Sequence, residues 1–347
     1  MKKEKLSIND IATKLKISKT TVSFILNGKA KEKRISEELT NKVLRHIEKV
    51  GYKPNQFAQS LRTGKTKIIG LMVEDIADPF FASIARYMED IAYQQGYKII
   101  YCSTENNSKR AREFLSMFQH LGVDGYIITP PDGIEDDLRR LASKGKEIIL
   151  FDRHINNLAA NAVIVNNEAS TYSGTQHLIS QGYKKLAFVT LNSQQSQMKG
   201  RLLGFERAVQ ENSLSKKFIY KLPYSVDHEK YVDKIKTILQ KERSIEAMLF
   251  ATSYLGVGGL EAMTQLNIKI PDEMAVVSFD DTDLFRIHKP SVTAISQPLE
   301  ELARTLINTL LNDMTDDTET GKRTKQTIVL PTDLIIRPSS CRPVYAN

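Results

Sequence analysis

Short apolar runs alternate with segments of helical periodicity over most of the chain, and this alternation restricts the fold more than any other feature. Apolar runs at residues 67–75 and 147–152, for example, are each followed or preceded by stretches whose apolar residues recur every three to four positions. Strands that alternate with helices in this way form parallel sheets covered by helices on both faces. A second series begins with "NAVIVNN" at 161–167. The sequence therefore predicts an α/β body of two doubly wound lobes, with the chain returning between them near 151–162 and 291–298.

The first fifty residues instead contain three short segments of helical periodicity, each preceded by a serine. Ser7, Ser18 and Ser36 are suitable N-caps, because a serine hydroxyl accepts a hydrogen bond from a free amide of the first turn. The second segment extends over 19–26 and ends at an Asn-Gly pair. Three short helices, the first two joined by a tight turn, are typical of a helix-turn-helix module. Its predicted core positions are Ile8, Ile11, Ala12, Leu15, Val22, Ile25, Leu26, Leu39, Val43, Ile47 and Val50.

The excess positive charge of the chain lies entirely in this N-terminal segment. Of the 49 Lys and Arg and the 41 Asp and Glu in the chain, residues 1–67 contain 17 and 6. The rest of the chain is slightly acidic, with 32 basic and 35 acidic side chains. A basic module that folds, joined to a nearly neutral body, indicates a polyanion as partner. Duplex DNA is the polyanion that a helix-turn-helix module reads.

Side chains on the outer face of the second helix are the candidates for reading DNA bases. In helical phase, Lys19, Thr20 and Phe24 lie opposite the apolar positions Val22 and Ile25. A lysine can donate to guanine, a threonine can bond to either type of base, and an aromatic ring can contact a thymine methyl group. Composition alone would place Phe24 in a core as readily as on DNA, and its helical phase favours the outer face.

At these residues the chain resembles the lactose-repressor (LacI/GalR) family. The stretches "SINDIATKLKISKTTVSFILNG" and "GYKPNQFAQSLRTGKTKIIGL" follow the family's DNA-binding and hinge signatures, and "LPTDLIIRPSS" extends the resemblance nearly to the C-terminus. The resemblance implies a helix-turn-helix domain over 1–53, a hinge helix and linker over 54–67, and a two-lobed effector-binding and dimerisation domain over 68–347 that is similar to periplasmic binding proteins. It also implies a homodimer on a pseudo-palindromic, double-stranded operator, because one module reads only a half-site. The residues predicted to contact DNA are Ser18, Lys19, Thr20, Thr21, Ser23, Phe24, Asn27, Asn55, Ala58, Leu61 and Arg62.

The hinge segment is compatible with a helix of about two turns, which is marginal in isolation. The resemblance implies that two such helices pair and enter the minor groove, with Leu61 as a wedge between base pairs. Ala58 would lie close to the partner helix and the groove, while Asn55 and Arg62 would contact the backbone or the groove edge. From its apolar pattern alone, Leu61 would instead be a core residue.

Polar residues follow several predicted strands of the body, among them Asp75, Asp152, Asn166, Thr252 and Asp280. Ligands bind at the carboxyl ends of the strands in such sheets, so these positions predict a small-molecule site between the lobes. Any one of these residues alone would usually be a helix cap or a turn former, whereas several strand ends that face one cleft make a stronger case. With the resemblance, the predicted effector-binding residues are Phe80, Phe81, Asp152, Arg153, Asn166, Gln195, Gln197, Arg201, Tyr224, Thr252 and Asp280.

One departure from the family pattern bears on the chemistry of the effector. Many sugar-sensing members have Asn-Asp where this chain has Thr252-Ser253. The loss of that carboxylate leaves hydroxyl donors near Arg153 and Arg201, which would favour an anionic group on the ligand. The pieces "NGKAK" and "ATS" are also similar to the fructose-repressor branch. We therefore expect a sugar or a sugar phosphate, while induction versus corepression and repression versus activation stay open.

Two other functions are compatible with parts of the sequence. A soluble sugar-binding receptor would have the same body, but no export signal is visible and the basic module is present. An α/β enzyme would need a nucleophile elbow, a phosphate loop or a metal cluster, and the sequence shows none of these motifs. Cys102 and Cys341 have no metal-binding spacing, so neither a metal nor a cofactor is expected. We expect a cytoplasmic transcriptional regulator without a membrane segment, because no apolar stretch reaches about 18 residues.

Overall fold

The computed structural model describes residues 7–52, 64–214, 217–315 and 325–342. The chain divides into two compact units, Met1–Thr66 and Lys67–Asn347. Within the described ranges, no helix combines the length and the apolar character needed to cross a membrane.

The described part of the N-terminal unit contains three helices: α1 (Ile8–Leu15), α2 (Lys19–Leu26) and α3 (Glu37–Val50). Their inner faces meet in a small core, which confirms the predicted apolar faces with one exception. Val50 is half-buried and lies outside this cluster. The fully buried members are Ile11, Ala12, Val22, Ile25 and Val43.

Each of these helices begins at the predicted serine. The hydroxyls of Ser18 and Ser36 accept hydrogen bonds from the amides at the third helical position. Ser7 forms a reciprocal capping box with Asp10, whose carboxylate accepts from the amide of Ser7 at 2.7 Å. The turn between α1 and α2 is tight because Lys16 adopts a left-handed conformation, with φ of 51°. Local sequence therefore fixes the start of all three helices.

The first lobe of the second unit contains a six-stranded parallel sheet. Its strands are β1 (Ile68–Val73), β2 (Lys98–Ser103), β3 (Gly125–Ile128), β4 (Glu147–Phe151), β5 (Asn161–Val165) and β11 (Thr327–Leu330), in the order β11-β5-β4-β3-β1-β2. Helices α4 (Pro79–Gln94) and α12 (Leu299–Thr315) cover one face, while α5 (Ser108–Leu121) and α6 (Glu135–Ser143) cover the other. In β1, Leu71 and Val73 pack into one layer and Met72 into the opposite layer, as the two-residue period requires.

The second lobe contains another six-stranded sheet. Its strands are β6 (Leu186–Leu191), β7 (Lys217–Leu222), β8 (Ala247–Phe250), β9 (Ala275–Phe279), β10 (Thr293–Ser296) and β12 (Asp333–Ile335), in the order β12-β10-β9-β8-β6-β7. Helices α7 (Asn167–Ser180) and α8 (Ser196–Glu211) pack against each other on one face, and α9 (His228–Lys241) and α10 (Ser253–Gln265) on the other. The short helix α11 (Asp283–Ile287) follows β9.

The chain passes between the lobes differently from the sequence prediction. That prediction assigns β5 to the second series and is wrong, because β5 pairs with β4 and β11 in the first sheet. The first passage therefore follows Val165 and does not lie within 151–162. A second passage lies between β10 and α12, inside the predicted 291–298 segment. A third, unpredicted passage joins β11 to β12, and β12 lies antiparallel to β10, so the second sheet is not wholly parallel.

Helices α7 and α8 approach each other backbone to backbone at a glycine of α8. A Cβ atom at Gly204 would lie 2.1 Å from the carbonyl oxygen of Glu168 and 2.8 Å from the amide nitrogen of Tyr172. Neither atom can yield unless the whole of α7 shifts. One turn earlier, a Cβ atom at Gly200 would lie 3.1 Å from the Cβ atom of Asn167, which is a milder contact.

We expect Gly204→Ala to lower the free energy of unfolding by about 2 kcal/mol, as overpacking of a close-packed interior does. Gly200→Ala is the matched control, because both substitutions gain the same intrinsic helix propensity on the same helix. Chemical denaturation of the two variants measures the difference. Equal stabilities would contradict the close approach of α7 and α8.

Candidate functional site

The outer face of α2 presents the side chains that the sequence singles out as base readers. Ser18, Lys19 and Thr20 are exposed, while Val22 and Ile25 on the opposite face are buried. Phe24 is half-buried and does not belong to the core cluster of this unit. Its ring lies 5.5 Å from Nζ of Lys33, in a cation–π contact. The face therefore combines cationic, hydroxyl and aromatic groups.

The remaining predicted side chains of this helix are used in local hydrogen bonds. Oγ of Ser18 lies 2.8 Å from Oγ1 of Thr21 and also accepts from the amide of Thr21. Nδ2 of Asn27 donates to the carbonyl oxygen of Ser23 at 2.6 Å. These contacts fix both ends of α2 and hold the central outer face in one orientation. The four hinge residues Asn55, Ala58, Leu61 and Arg62 lie outside the described residues.

In the second unit, Arg153 lies at the centre of a buried ion cluster at the end of β4. Its guanidinium pairs with Glu74 and Asp152, and its side chain also donates to Oδ1 of Asn106 at 2.7 Å and to the carbonyl oxygen of Pro130 at 3.2 Å. Burial alone would lower the pKa of Arg153, but Glu74 and Asp152 outweigh it and raise that pKa above its ordinary value. The guanidinium therefore stays charged and fully paired. Glu74 and Asn106 were not predicted from the sequence.

Arg201 occupies the corresponding position on the side of the second lobe. Its Nε donates to Oδ1 of Asn167 at 2.8 Å, and its Nη1 donates to the carbonyl oxygen of Ala251 at 2.6 Å. The guanidinium stacks on the ring of Phe279 at 3.6 Å, and Nη2 lies 4.0 Å from Oδ1 of Asp152 in the first lobe. The structure therefore brings Arg201 and Asp152 together across the cleft.

Asp152 and Asp280 hold equivalent places in the two lobes. Each directly follows a central strand, β4 or β9, and each adopts a left-handed backbone with φ of 65°. Such a conformation is costly for a residue other than glycine and is concentrated at functional sites. Burial raises the pKa of both carboxyls. The charges of Arg153 and Arg201 partly offset this rise for Asp152, and the charge of Arg201 partly offsets it for Asp280. Oδ1 of Asp280 also accepts from Nε2 of Gln297 at 2.6 Å.

The two predicted phenylalanines contact each other edge to face, with ring centroids 5.0 Å apart, and differ in what else they border. Phe80 stacks on Phe151 with ring centroids 5.7 Å apart and borders a cavity, whereas Phe81 contacts the same ring from the core side of α4. Asn166 is exposed and caps α7 by accepting from the amide of Ala169. Its neighbour Asn167 is the residue that bonds to Arg201. Sequence reasoning selected the adjacent position.

Three cavities lie along the lobes, with volumes of about 560, 200 and 430 Å³. Of the predicted residues, Phe80 and Asp280 line the first, Tyr224 lines the second, and Arg153 and Gln195 line the third. The third cavity has walls from both lobes, since Asp132 and Glu135 face it from the first and Lys199 and Leu203 from the second. The first two cavities share Asp78 and Tyr254, whereas the third shares no lining residue with them. The other predicted residues line none of the three cavities: Phe81, Asp152, Asn166, Gln197, Arg201 and Thr252.

Two buried polar atoms beside the cleft lack a hydrogen-bond partner among the described residues. They are Oε1 of Gln197, which is 2% exposed, and Nδ1 of His154, a lining residue of the third cavity. Nε2 of Gln197 lies 3.4 Å from Oε1 of Gln195, a lining residue of the third cavity. A buried acceptor without a donor is costly, so a ligand with an O–H or N–H group would compensate it.

The contacts around Thr252 do not support the expectation of an anionic ligand. Oγ1 of Thr252 caps α10 by accepting from the amide of Leu255 at 3.3 Å, so its oxygen is held at the helix terminus and only its O–H remains to donate to a ligand. Arg153 and Arg201 already have carboxylate and carbonyl partners. The cleft also contains more carboxylates than guanidiniums, because Glu74, Asp78, Asp152 and Asp280 all border it. A further negative charge would meet repulsion here.

Asp78 also lines the first cavity, and the sequence does not single it out. It caps α4 by accepting from the amide of Phe80 at 2.8 Å. Burial, reinforced by the nearby charges of Asp280, Glu74 and Asp75, raises its pKa to about 7. Part of the population of this group is therefore protonated near neutral pH.

The raised pKa of Asp78 makes its contribution to stability depend on pH in a defined direction. A carboxyl that titrates at about 7 when folded, and at about 4 when unfolded, binds its proton more tightly in the folded state. Its favourable contribution is present at low pH and is lost as the pH rises from about 4 to about 7. Asp78→Asn keeps the cap acceptor and cannot ionise. We therefore expect thermal denaturation to show a smaller loss of stability between about pH 4 and 7 for this variant than for the parent.

The matched control for this titration is Asp227→Asn, which alters an exposed cap of α9. That variant should retain the pH dependence of the parent chain. A parallel shift of both variants would contradict the assignment to Asp78.

Both units match known protein families. Residues 7–55 match the profile of bacterial regulatory proteins of the lacI family, and residues 175–340 match that of periplasmic binding protein-like domains. The HTH-type transcriptional repressor PurR of Haemophilus influenzae (strain PittEE) is 28% identical over 336 residues, 96% of this chain and 98% of that protein. The ribose operon repressor of H. influenzae (strain ATCC 51907 / DSM 11121 / KW20 / Rd) is 28% identical over 334 residues, with the same coverage.

Solved structures share this fold. The lac repressor dimer bound to operator and the anti-inducer ONPF aligns with a TM-score of 0.84 at 21% identity, over 97% of this chain and 99% of that one. A periplasmic binding protein/LacI transcriptional regulator from Alkaliphilus metalliredigens QYMF, complexed with D-xylulofuranose, aligns with a TM-score of 0.71 at 22% identity, over 79% and 98%. Fold and sites thus define a helix-turn-helix unit joined to a periplasmic-binding-protein-like body. Residues 7–55 belong to the lacI family of bacterial regulatory proteins, and the chain as a whole is similar to transcriptional repressors over almost its full length.

Proposed function

We propose that the chain is a homodimeric repressor whose affinity for a pseudo-palindromic operator is controlled by a small, uncharged, hydroxyl-rich effector bound between the lobes. The observation that carries this proposal is the cleft, where buried polar groups of both lobes converge on Arg201 and Asp152 in a chain that also presents a polar outer face on α2. Its relatives include a ribose operon repressor, and a solved structure of this fold holds a sugar.

On the DNA side, Lys19, Thr20 and Phe24 are the proposed base readers. They lie on the face of α2 opposite Val22 and Ile25, and a recognition helix enters the major groove with such a face. Ser18, Thr21, Ser23 and Asn27 shape the ends of the helix, from which they can also reach phosphate oxygens. The hinge residues Asn55, Ala58, Leu61 and Arg62 remain proposed minor-groove contacts, with Leu61 as the wedge.

On the effector side, charge favours an uncharged ligand over a sugar phosphate. Each guanidinium in the cleft already has carboxylate or carbonyl partners, and burial already disfavours the charged forms of Asp78, Asp152 and Asp280 by raising the pKa of each. A further negative charge would add to that cost. The proposed contacts are Phe80, Asp152, Arg153, Gln195, Gln197, Arg201, Tyr224, Thr252 and Asp280. Phe81 and Asn166 would support the site indirectly, through the core and through the cap of α7.

The effector acts in this proposal by changing the relative position of the lobes. It must bind the operator-competent and the incompetent arrangement with different affinity, since only that difference can shift the equilibrium. In a dimer, movement of the lobes would bring together or separate the two hinge segments. Pairing of the hinge segments would then control the minor-groove contacts.

The proposal is tested by a thermal-shift screen of the full chain against neutral monosaccharides and their phosphate esters. A ligand that binds only the folded state at about 100 times its Kd adds roughly 2.7 kcal/mol of stability, which is readily measured. We expect a neutral sugar to raise the Tm and to change the mobility of a complex with promoter DNA. Stabilisation by phosphate esters alone would contradict the proposal that the effector is uncharged. Absence of any DNA complex at low ionic strength would contradict the proposal that the chain is a DNA-binding regulator.

A further inference from the structure

Direct contacts hold the two lobes together on the side of the third cavity. Oδ1 of Asn106 accepts from Nη1 of Arg153 at 2.7 Å and from Nε2 of Gln195 at 3.0 Å. Asn106 and Arg153 belong to the first lobe, whereas Gln195 opens α8 of the second lobe. Beside this contact, the amide of His154 donates to Oγ of Ser196 at 3.1 Å. One amide oxygen thus receives a donor from each lobe.

The loop that carries Asn106 holds it in a strained conformation. Glu105 and Asn106 are consecutive residues with φ of 51° and 53°, and neither is a glycine. A backbone conformation of this kind costs on the order of 1 kcal/mol of free energy per residue, and it persists only where the surrounding structure enforces it. The amide of Glu105 donates to the carbonyl oxygen of Glu74 at 2.8 Å, and its carboxylate pairs with Arg110. The loop is therefore anchored at the residue before Asn106.

Gln195 is available for this contact because it does not cap its own helix. It occupies the N-cap position of α8, yet its side chain makes no hydrogen bond to the first turn. Its own amide donates to Oγ of Ser193 at 3.1 Å. The side chain is buried and directed to Asn106 and Gln197. Helix α8 also carries Arg201, so the position of Gln195 bears on the distance between Arg201 and Asp152.

We propose that Asn106 is a positioning residue whose amide oxygen, shared between Arg153 and Gln195, latches the two lobes together before any effector is bound. Arg153 is held in place by its buried ion pairs with Glu74 and Asp152. Through its hydrogen bonds to Arg153 and Gln195, Asn106 therefore connects this rigid part of the first lobe to the start of α8. The significance of the latch for effector response rests on the proposed function. The existence of the latch does not, because closure can be measured without DNA or effector.

The test is a distance measurement by pulsed electron spin resonance on the full chain. Cys102 and Cys341 are first replaced by serine, and spin labels are placed on cysteines introduced at Asp136 of α6 and Leu203 of α8, both exposed near the mouth of the third cavity. Labelled chain is diluted with unlabelled chain, so that only distances within one protomer are recorded. Asn106→Gly removes the acceptor and tolerates the positive φ. Gln195→Ala removes the donor from the other lobe.

We expect both variants to raise the population of the long-distance, open form roughly fivefold, the effect of one lost hydrogen bond of ordinary strength. Asn106→Asp keeps an acceptor for both donors and should retain the parent distribution. Asn107→Ala is the control for mere destabilisation, because Asn107 caps α5 through the amides of Lys109 and Arg110, and among the described residues its side chain makes no hydrogen bond to the second lobe. Its Tm should fall while its distances stay unchanged. Parent-like distances in Asn106→Gly, or the same opening in Asn107→Ala, would overturn the latch.

Discussion

We expect Arg153→Met to lower the free energy of unfolding of this protein by about 3–5 kcal/mol, the cost of breaking a buried ion pair by removing one partner. Arg153 is 3% exposed, and its guanidinium is the partner of Glu74 and Asp152. Methionine fills much of the same volume, but it leaves Glu74 buried without its cation, Asp152 with only the more distant Arg201, and Asn106 without one donor. The loss would therefore come from uncompensated charge and not from a void.

Chemical denaturation at neutral pH measures this loss, and Arg139→Met provides its matched control. Arg139 makes an ion pair with Asp136 on the exposed face of α6, where both partners are hydrated. Exposed pairs of this kind contribute little, so the control should change stability by less than about 0.5 kcal/mol. A loss of similar size in the two variants would mean that the Arg153 cluster does not stabilise the body.

The second large effect concerns DNA. We expect the double variant Lys19→Ala/Thr20→Ala to lower the affinity for the specific operator on the order of a hundredfold, since each base contact contributes about 1–3 kcal/mol of discrimination. Both side chains are exposed on α2, so the fold of the unit should not change. Binding to unrelated DNA should fall much less, because it depends on phosphate contacts. Fluorescence anisotropy with specific and unrelated duplexes measures both affinities.

Thr13→Ala is the control for this prediction. Thr13 is exposed on α1, outside the proposed reading face. The control should keep the affinity of the parent chain for the specific duplex. If the double variant lost specific and unrelated binding equally, Lys19 and Thr20 would be phosphate contacts and α2 would not read the sequence through them.

The N-terminal unit was predictable because its signals are local. Ser7, Ser18 and Ser36 each cap the helix that directly follows, and the bounds of α2 follow from its cap and from the glycine after it. The alternation of strands and helices in the body is likewise readable from period and length. The pairing of the strands is harder to predict from the sequence. Whether β5 pairs with β4 or with β6 depends on β11, more than 150 residues away along the chain, and the apolar run of β5 would suit either sheet.

The cleft was predictable in part, for the same reason. Strand ends such as Asp152 and Asp280 are visible in the sequence, because a polar residue interrupts an apolar run. Glu74, Asn106 and Asn167 are defined by their partners across loops and lobes, and no local pattern distinguishes them from ordinary polar residues. The expectation of an anionic effector stays a prediction. It places the hydroxyl of Thr252 near the two guanidiniums, and the carboxylates that pair with those guanidiniums are not visible in the local sequence.

A footprint of the full chain on promoter DNA tests the central claim most directly. Two copies of the chain should protect one pseudo-palindromic site, with half-sites separated by about one or more helical turns, and the affinity should fall steeply as salt is added. An effector found in the thermal-shift screen should change that protection at a fixed concentration of protein. Uniform cleavage of every promoter fragment at low ionic strength, together with a monomeric sedimentation coefficient, would contradict the account.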